Sequence, residues 1–218
     1  MQNTVHLDYR EKRMVGDMQL QLLDAGHLPG SAQALVEADG RRLLYTSDFN
    51  TMNTRLLPSA DTDYGPIDAF IIESTYANEE HPERLALEKE FVEKVTDVVE
   101  NGGTVLVPAF SVGRSQEIAC VLAAHHFEFS VTIDGMAREA NRILSNYTNF
   151  LREPRLFLDA VRSANAVEGW RDRHLATGKP GVVISPAGML KGGPAVFYVQ
   201  KLGKKSRNAV FLVSYQIP

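Results

Sequence analysis

The hydrophobic pattern of this chain changes once, near residue 67, and that change sets the fold class. Before it, apolar and polar residues alternate over Met18–Asp24 and again over 32–46, on both sides of Asp39-Gly40. Period-two alternation predicts half-buried antiparallel strands. Asp-Gly is a tight-turn pair, so 32–46 is predicted to be a β-hairpin. Residues 50–65, rich in Asn, Thr, Asp and Ser, are expected to form a loop.

After this point the pattern predicts strands that alternate with helices. A buried strand over 67–72 ends at Glu73, and the alternation follows it. Strands separated by helices imply right-handed crossovers and a parallel sheet, so the class is α/β. In the first helix, Leu87, Phe91, Val95 and Val98 are predicted to form the buried stripe, with Val92 and Val99 beside it. The predicted helices cover 82–100, the residues after Gly113, 136–150, 163–176 and 194–202, and the predicted strands cover 104–107, 131–133, 155–158, 182–184 and 209–213.

Composition excludes several classes of protein. With 44% hydrophobic and 23% charged residues the chain is ordinary globular material, not disordered or collagen-like. No uncharged apolar run approaches the roughly 18 residues of a membrane span. The N-terminus has no apolar signal core, and the single cysteine, Cys120, excludes an intrachain disulfide and a multi-cysteine zinc site. A cytoplasmic location is therefore expected.

Charge is distributed unevenly, although the net charge is only −4. Residues 61–100 hold twelve acidic and three basic side chains. Residues 179–218 hold no acid, and their basic residues are Lys179, Lys191, Lys201, Lys204, Lys205 and Arg207. A basic surface attracts phosphates, although a solvated, charged face is the more common reason for such a distribution.

Three side chains that are able to ligate a metal follow predicted strands in the first half of the chain. His27 comes just after Met18–Asp24, Asp48 just after the second hairpin strand, and Glu73 just after 67–72. An imidazole can ligate a metal through a neutral ring nitrogen, and a carboxylate can bridge two cations. Taken singly, each has a simpler reading: a hydrogen-bonded histidine, a turn aspartate and a capping glutamate.

Two strand-to-helix loops of the second half are candidate phosphate-binding sites. Residues 110–115 combine a glycine, Gly113, with Ser111, Arg114 and Ser115, and the loop of residues 185–194 includes Ser185, Gly188 and Lys191. Backbone N–H groups at a helix start bind anions, while an ordinary helix cap by Ser111 is the alternative. Trp170 and Tyr76 are able to stack on bases, although packing is the commoner role of such residues.

In combination these segments resemble the metallo-β-lactamase-fold nucleases that carry a β-CASP insertion, such as ribonuclease J, the endonuclease of mRNA 3′-end processing and archaeal relatives. The stretches DAGHLPGSA from Asp24, YTSDF from Tyr45 and ESTY from Glu73 resemble the later metal-site motifs. VPAFSVGRSQE from Val107 and SPAGM from Ser185 resemble the β-CASP part. Five motifs in the family's order are more specific than any one of them.

The resemblance implies a fold and a set of roles. It implies part of a metallo-β-lactamase β-sandwich over residues 1–76, followed by a Rossmann-like, parallel-sheet β-CASP domain over 77–218. His27 matches a zinc ligand, Asp48 the aspartate that bridges two zinc ions, and Glu73 an acid that assists proton transfer. The implied cofactor is Zn²⁺, two ions in the complete enzyme, and the implied substrate is single-stranded RNA. The three side chains are expected to open onto one shared cleft between the two subdomains.

The sequence departs from the family in its other metal ligands. The motif H-x-H-x-D-H and the two later histidine motifs are absent, so the chain looks like the middle of a longer enzyme. With two ligands it is expected to bind zinc poorly and to be inactive alone. The alternatives are a non-catalytic RNA-binding scaffold of the same family and a freestanding Rossmann-like nucleotide-binding module. Exposed apolar strand edges in the first half predict a homodimer or poor solubility.

Overall fold

The computed structural model describes residues 4–214, and these divide into two compact units between Glu80 and His81. The predicted boundary, between residues 76 and 77, lies close to this division. The assignment of the first unit to a metallo-β-lactamase domain stays a prediction. Among the described residues, no helix has the length and apolar character that crossing a membrane requires.

Unit 1 is built on one five-stranded sheet with the order β1-β2-β3-β4-β5. Neighbouring strands are antiparallel except β4 and β5, which are parallel. The predicted hairpin is confirmed: β3 and β4 flank Asp39 and Gly40, which both have positive φ angles of 49° and 69°. The strands are β1 Lys12–Val15, β2 Met18–Asp24, β3 Ala32–Ala38, β4 Arg41–Tyr45 and β5 Ala69–Ile71.

The sheet of unit 1 has a small core on one face. Leu23, Leu35 and Leu44 are buried there, with Tyr64 and Ile67 packed against them. Because side chains alternate along a strand, the intervening positions form the opposite face. Val15, Met18, Tyr45 and Ile71 belong to that face and are exposed, with Leu20, Leu22, Val36 and Leu43 between them only partly buried.

Unit 2 alternates helices and strands as the sequence predicts, and the α/β class is confirmed. Its five strands are all parallel, in the order β10-β6-β9-β7-β8. A 3₁₀ turn over Thr148–Phe150 separates two of the helices. The elements are α1 Arg84–Glu100, β6 Thr104–Pro108, α2 Arg114–Ala124, β7 Val131–Ile133, α3 Met136–Leu144, α4 Pro154–Ser163, β8 Asn165–Ala166, α5 Trp170–Ala176, β9 Gly181–Ser185, α6 Gly193–Leu202 and β10 Ala209–Val210.

Helices cover both faces of this parallel sheet. On one face, residues of α1 and α2 bury the odd-numbered residues of β6, Val105 and Val107. On the other face, Leu106 and Val183 pack against Tyr198 and Leu202 of α6. The central strands β6 and β9 are buried along their whole length. Two-sided burial accounts for their continuous apolar sequence.

Three element predictions in unit 2 were wrong. The predicted strand over 155–158 is part of α4, where Pro154 starts the helix and Phe157 is buried on its inner side. The predicted helix over 163–176 begins only at Trp170, after the short strand β8, whose pairing with β7 overrides the local helical pattern. The helix predicted over 136–150 ends at Leu144.

The buried stripe of α1 is also displaced from the predicted one. Leu87 is exposed, whereas Glu88 is buried beside Val92, Val95 and Val99. Glu88 accepts a hydrogen bond from Arg84 Nε at 2.8 Å and lies 3.2 Å from His125 Nε2. These two partners allow a carboxylate to occupy an inner position that a hydrophobic pattern assigns to leucine.

Candidate metal-site residues and strand-end loops

The three metal-site candidates lie beyond the same end of the unit 1 sheet. Asp24, the last residue of β2, pairs with Ala32 at the start of β3. Tyr45, the last residue of β4, pairs with Ala34 and with Ile71, the last residue of β5. β2, β4 and β5 therefore end on one side, and His27, Asp48 and Glu73 follow those ends within three residues.

Backbone hydrogen bonds tie the His27 loop to the loop that follows Asp48. Asn50 N donates to Ala25 O at 2.9 Å, and Ala60 N donates to Asn50 O at 2.7 Å. Gly26 makes this approach possible: its φ is +63°, and a Cβ there would be 2.5 Å from Ala60 N. Only glycine satisfies both conditions. Its N–H donates to Asp24 Oδ1 at 2.8 Å, which closes the turn before His27.

His27 and Asp48 are brought together by this arrangement. Their Nε2 and Oδ2 atoms are 4.0 Å apart, and the side chains are 44% and 72% exposed. A tetrahedral zinc ion binds N and O ligands at about 2.0–2.2 Å, so small side-chain rotations would place both atoms on one ion. The pair fits one corner of a metal site that is open to further ligands.

The first aspartate of the DAGH motif has a structural role beside this pair. Burial raises the pKa of Asp24, the charge of Asp61 raises it further, and the hydrogen bond from Gly26 partly offsets both. Burial, assisted by the charge of Asp24, raises the pKa of Tyr9 to about 12. Tyr9 Oη donates to Ser31 O at 2.7 Å, so this group anchors the far side of the His27 loop.

Glu73 lies at the same sheet end, next to the Asp48 loop. Its backbone N–H donates to Oγ1 of buried Thr46 at 3.4 Å. Its carboxylate accepts from Thr75 N at 2.7 Å, which makes a local turn. The structure thus joins His27 to Asp48 by direct approach, and Glu73 to the base of the Asp48 loop through Thr46. Within residues 4–214, no group of three or more His, Cys, Asp or Glu is placed to hold a metal.

The two candidate phosphate loops of unit 2 lie side by side at the carboxyl ends of β6 and β9. Ala109 N donates to Ser185 O at 3.1 Å, and a Cβ on Gly188 would be 3.2 Å from Phe110 N. This close approach explains why a glycine follows Pro186 and Ala187 here. The loops predicted separately from sequence therefore form one surface.

Within these loops, the serines face inward and the cations face solvent. Ser115 Oγ donates to Phe110 O at 2.7 Å and Ser185 Oγ to Pro186 O at 3.1 Å, and both residues are fully buried. Gly113, not Ser111, is the N-cap residue of α2, and the Ser111 carbonyl accepts from Gln116 Nε2 at 3.1 Å. The exposed charged groups are Arg114 and Lys191. Their phosphate-binding roles stay predictions.

A buried ionic network in unit 2 was missed by the sequence analysis. Asp134, 1% exposed, accepts from Arg173 Nε at 2.7 Å, Arg173 Nη2 at 3.1 Å and Tyr198 Oη at 2.9 Å. The hydrogen bonds that the guanidinium donates to Asp134 raise the pKa of Arg173. Burial and then the Asp134 charge raise the pKa of Tyr198. The signal in the sequence was the position of Asp134 directly after the strand β7. Asp48 has a similar position, three residues after β4.

Comparison with known proteins identifies one domain. Residues 115–218 match the model of the Beta-Casp domain. This chain therefore contains a Beta-Casp domain. The match covers most of unit 2, including nearly all of α2, the second candidate phosphate loop and the Asp134 network.

Curated relatives align with the whole chain but are much longer. RNase aCSPSF2 of Saccharolobus solfataricus is 44% identical over 217 residues, which are 99% of this chain and 44% of the relative. Probable RNase MJ4 of Methanocaldococcus jannaschii is 36% identical over 100% of this chain and 52% of the relative. Transcription termination factor FttA of Pyrococcus horikoshii is 33% identical over 99% of this chain and 36% of the relative. The chain spans about half, or less, of the length of these relatives.

Proposed function

We propose that this β-CASP chain is part of a zinc-dependent RNA-processing nuclease that hydrolyses phosphodiester bonds. The observation that carries the proposal is the 4.0 Å approach of His27 Nε2 and Asp48 Oδ2 at a sheet end that also holds Glu73. The names of the relatives, two RNases and a transcription termination factor, support RNA as the substrate. A location in the cytoplasm is part of the same proposal.

Each residue has a defined role in this proposal. His27 Nε2 and the Asp48 carboxylate hold zinc, and the two oxygens of Asp48 suit it to a position between two ions. When bound, a pair of zinc ions lowers the pKa of a shared water toward neutrality. Glu73, fixed by its hydrogen bond from Thr75 N, holds or accepts a proton beside them.

The two strand-end loops of unit 2 would bind the RNA backbone. Arg114 and Lys191 supply positive charge, and the backbone N–H groups of the glycine-containing turns supply further donors. The other candidate residues fix the shape of the loops in this proposal. The hydroxyls of Ser115 and Ser185 do so by donating to the backbone. The remaining residues of this group are Ser111, Gly113 and Gly188.

We expect this chain alone to be inactive. Structural and catalytic zinc sites use three or four protein ligands, and His27 and Asp48 supply two. The test is RNA turnover by the purified chain with excess Zn²⁺, which should stay at background. Turnover by this chain that is abolished by His27→Ala or Asp48→Asn would overturn the expectation of inactivity.

The metal-binding role is tested in the longer protein, where the chain occupies its natural context. His27→Ala and Asp48→Asn should each reduce turnover at least a hundredfold and release zinc, measured by metal analysis. His6→Ala and Asp39→Asn are matched controls, because both residues are exposed and Asn tolerates the positive φ of position 39. Full activity and full zinc content in the His27 variant would refute the proposal.

A non-catalytic RNA-binding scaffold is the second candidate. It is favoured by one observation, that no three potential ligands cluster in the part of the chain that the structure describes. Zinc-independent RNA binding without turnover by the longer protein would support it. The freestanding nucleotide-binding module lacks support, because the chain has no G-x-G-x-x-G fingerprint. Binding of ATP but not RNA would favour that module.

A further inference from the structure

A cluster of aromatic rings and cations lies on α5 and α6 of unit 2. The Trp170 and His174 rings each contact Phe197 edge-on, with centroids 5.4 Å apart. Arg173 Cζ lies 4.9 Å from the centre of the Trp170 ring, and Lys201 Nζ lies 6.0 Å from that of Phe197. We call these five residues the α5–α6 platform.

The platform presents a rigid tryptophan to solvent. Trp170 is 61% exposed, so Arg173 and Phe197 cover only part of its ring. Arg173 is itself fixed, because its guanidinium makes two hydrogen bonds to the buried Asp134 carboxylate. A large aromatic side chain held in place from below loses little conformational entropy when a flat ligand stacks on it. The arrangement therefore favours binding of an aromatic ligand.

The charge around the platform favours a polyanion. Residues 173–214 contain no acid. Lys191 precedes α6, Lys201 is in its last turn, and Lys204 and Lys205 follow it. With ten residues, α6 is about 15 Å long, so these cations flank a stretch that a few nucleotides would span.

Two acids border the platform, and both are engaged. Asp172 Oδ2 accepts from the backbone N–H groups of Glu168 and Gly169 at the start of α5. Glu168 lies 3.8 Å from Arg138. Neither acid belongs to α6 or to the segments that carry Lys191, Lys204 and Lys205.

We propose that the α5–α6 platform binds single-stranded RNA, with a base stacked on Trp170 and phosphates held by Lys201 and the lysines beyond it. Aromatic stacking beside cations is the common mode of sequence-tolerant single-strand binding. The choice of RNA over other single strands rests on the proposed function. The platform consists of residues of unit 2 alone, and the proposed binding requires no metal.

Intrinsic fluorescence tests the stacking directly, because Trp170 is the single tryptophan of the chain. The intact chain is titrated with an unstructured uridine 12-mer in EDTA, which excludes any metal-dependent step. Saturable quenching of Trp170, weakened by added salt, is expected. A control titration with free uridine monophosphate at the same base concentration should quench much less.

Variants locate the site, with labelled-RNA anisotropy as the measurement. Trp170→Ala should weaken binding about five- to a hundredfold, and Trp170→Phe should restore much of it because a ring remains. Lys201→Glu should weaken binding and flatten its salt dependence. The controls are Tyr147→Ala, an exposed aromatic on the opposite side of the sheet, and Lys89→Glu on α1, which should bind as the unchanged chain does.

The outcomes separate this proposal from the nuclease proposal. Unchanged RNA affinity in Trp170→Ala, or no quenching at saturating RNA, overturns the platform while leaving the nuclease proposal standing. RNA binding that Trp170→Ala weakens, in a longer protein that has no turnover, supports the platform and contradicts the nuclease. A dimer that Trp170→Ala dissociates, without any effect on RNA affinity, would assign the platform to self-association and overturn the proposal.

Discussion

The two sheets of this chain differ in how completely they are covered. In unit 2, both faces of the parallel sheet are packed by helices, and β6 and β9 are buried throughout. In unit 1, one face of the sheet has a three-leucine core, and the opposite face leaves Tyr45 and Ile71 exposed. Unit 2 therefore buries apolar surface on both faces of its sheet, whereas the sheet of unit 1 leaves apolar surface in contact with water.

The same contrast applies to the charged groups of the two units. The Asp134 network of unit 2 is buried and serves the fold and the orientation of Arg173. The His27–Asp48 pair of unit 1 is exposed and makes no buried contact that stability would require. Buried charges have large effects on stability when a partner is removed, and exposed ones have small effects. Mutations at Asp134 should therefore lower the free energy of unfolding much more than mutations at His27 or Asp48.

The largest effect is expected for Asp134→Ala. The substitution leaves the Arg173 guanidinium and the Tyr198 hydroxyl without their shared acceptor, so the free energy of unfolding of unit 2 should fall by about 3 kcal/mol or more. Urea denaturation followed by Trp170 fluorescence reports this unit. Asp159→Ala is the matched control, since Asp159 is exposed and 3.7 Å from exposed Arg162, and it should lose less than about 1 kcal/mol. An equal loss of unfolding free energy in the two variants would show that the buried network stabilises unit 2 no more than an exposed ion pair does.

An intermediate effect is expected for Gly26→Ala in unit 1. The left-handed conformation and a Cβ 2.5 Å from Ala60 N should together lower the free energy of unfolding by at least about 2 kcal/mol. Gly30→Ala, in the same loop, has φ +83° but open space around its Cβ, so about 1 kcal/mol is expected. Far-UV circular dichroism follows unit 1, and the His27 imidazole resonances should shift only in the Gly26 variant. Identical behaviour of the two variants would contradict the role of close approach.

Sequence reasoning predicted the local elements that local chemistry determines. The β3–β4 hairpin was predicted because Asp39-Gly40 supplies the two positive φ angles that its turn requires. The strands β6 and β9 were predicted because burial on both faces makes them continuously apolar. The three candidate residues of unit 1 were predicted from motif resemblance, and the structure places them at one end of the sheet.

The errors arose where tertiary partners override the local pattern. Glu88 is buried because Arg84 and His125 accompany it, and neither partner can be inferred from helical spacing alone. Residues 165–166 form a strand because β7 is beside them. Likewise, the bond from Asn50 N to Ala25 O that brings His27 near Asp48 joins two loops with no sequence signal for their contact.

The exposed face of unit 1 predicts a change in association rather than in stability. Ile71→Thr, at a position 52% exposed, should change the free energy of unfolding by less than about 0.5 kcal/mol and reduce self-association. Sedimentation velocity over a range of concentrations measures the association. Ile184→Thr, at a fully buried position of β9, is the contrasting variant and should be strongly destabilising. A homodimer that Ile71→Thr leaves intact would show that this face is not the interface.

The smallest effect is expected for Asp24→Asn, and it depends on pH. Burial raises the folded-state pKa of Asp24 above its unfolded value. The favourable contribution of Asp24 to the free energy of unfolding is therefore fully present below the unfolded-state pKa, and it is lost as pH rises through the folded-state pKa. At neutral pH the ionised, half-buried carboxylate therefore destabilises unit 1. Asparagine keeps the oxygen that accepts from Gly26 N and removes the charge.

Asp24→Asn should accordingly unfold at a slightly higher temperature than the unchanged chain at pH 7, with the difference shrinking as pH falls through the acid range. A second readout is the pKa of Tyr9, which should fall from about 12, since one of its two causes is the Asp24 charge. Asp17→Asn, in the exposed β1–β2 turn, is the control. A melting temperature for Asp24→Asn below that of the unchanged chain at pH 7 would mean that the Asp24 charge stabilises the His27 loop. Unit 1 would then resemble unit 2, where the Asp134 carboxylate is held by its own set of donors.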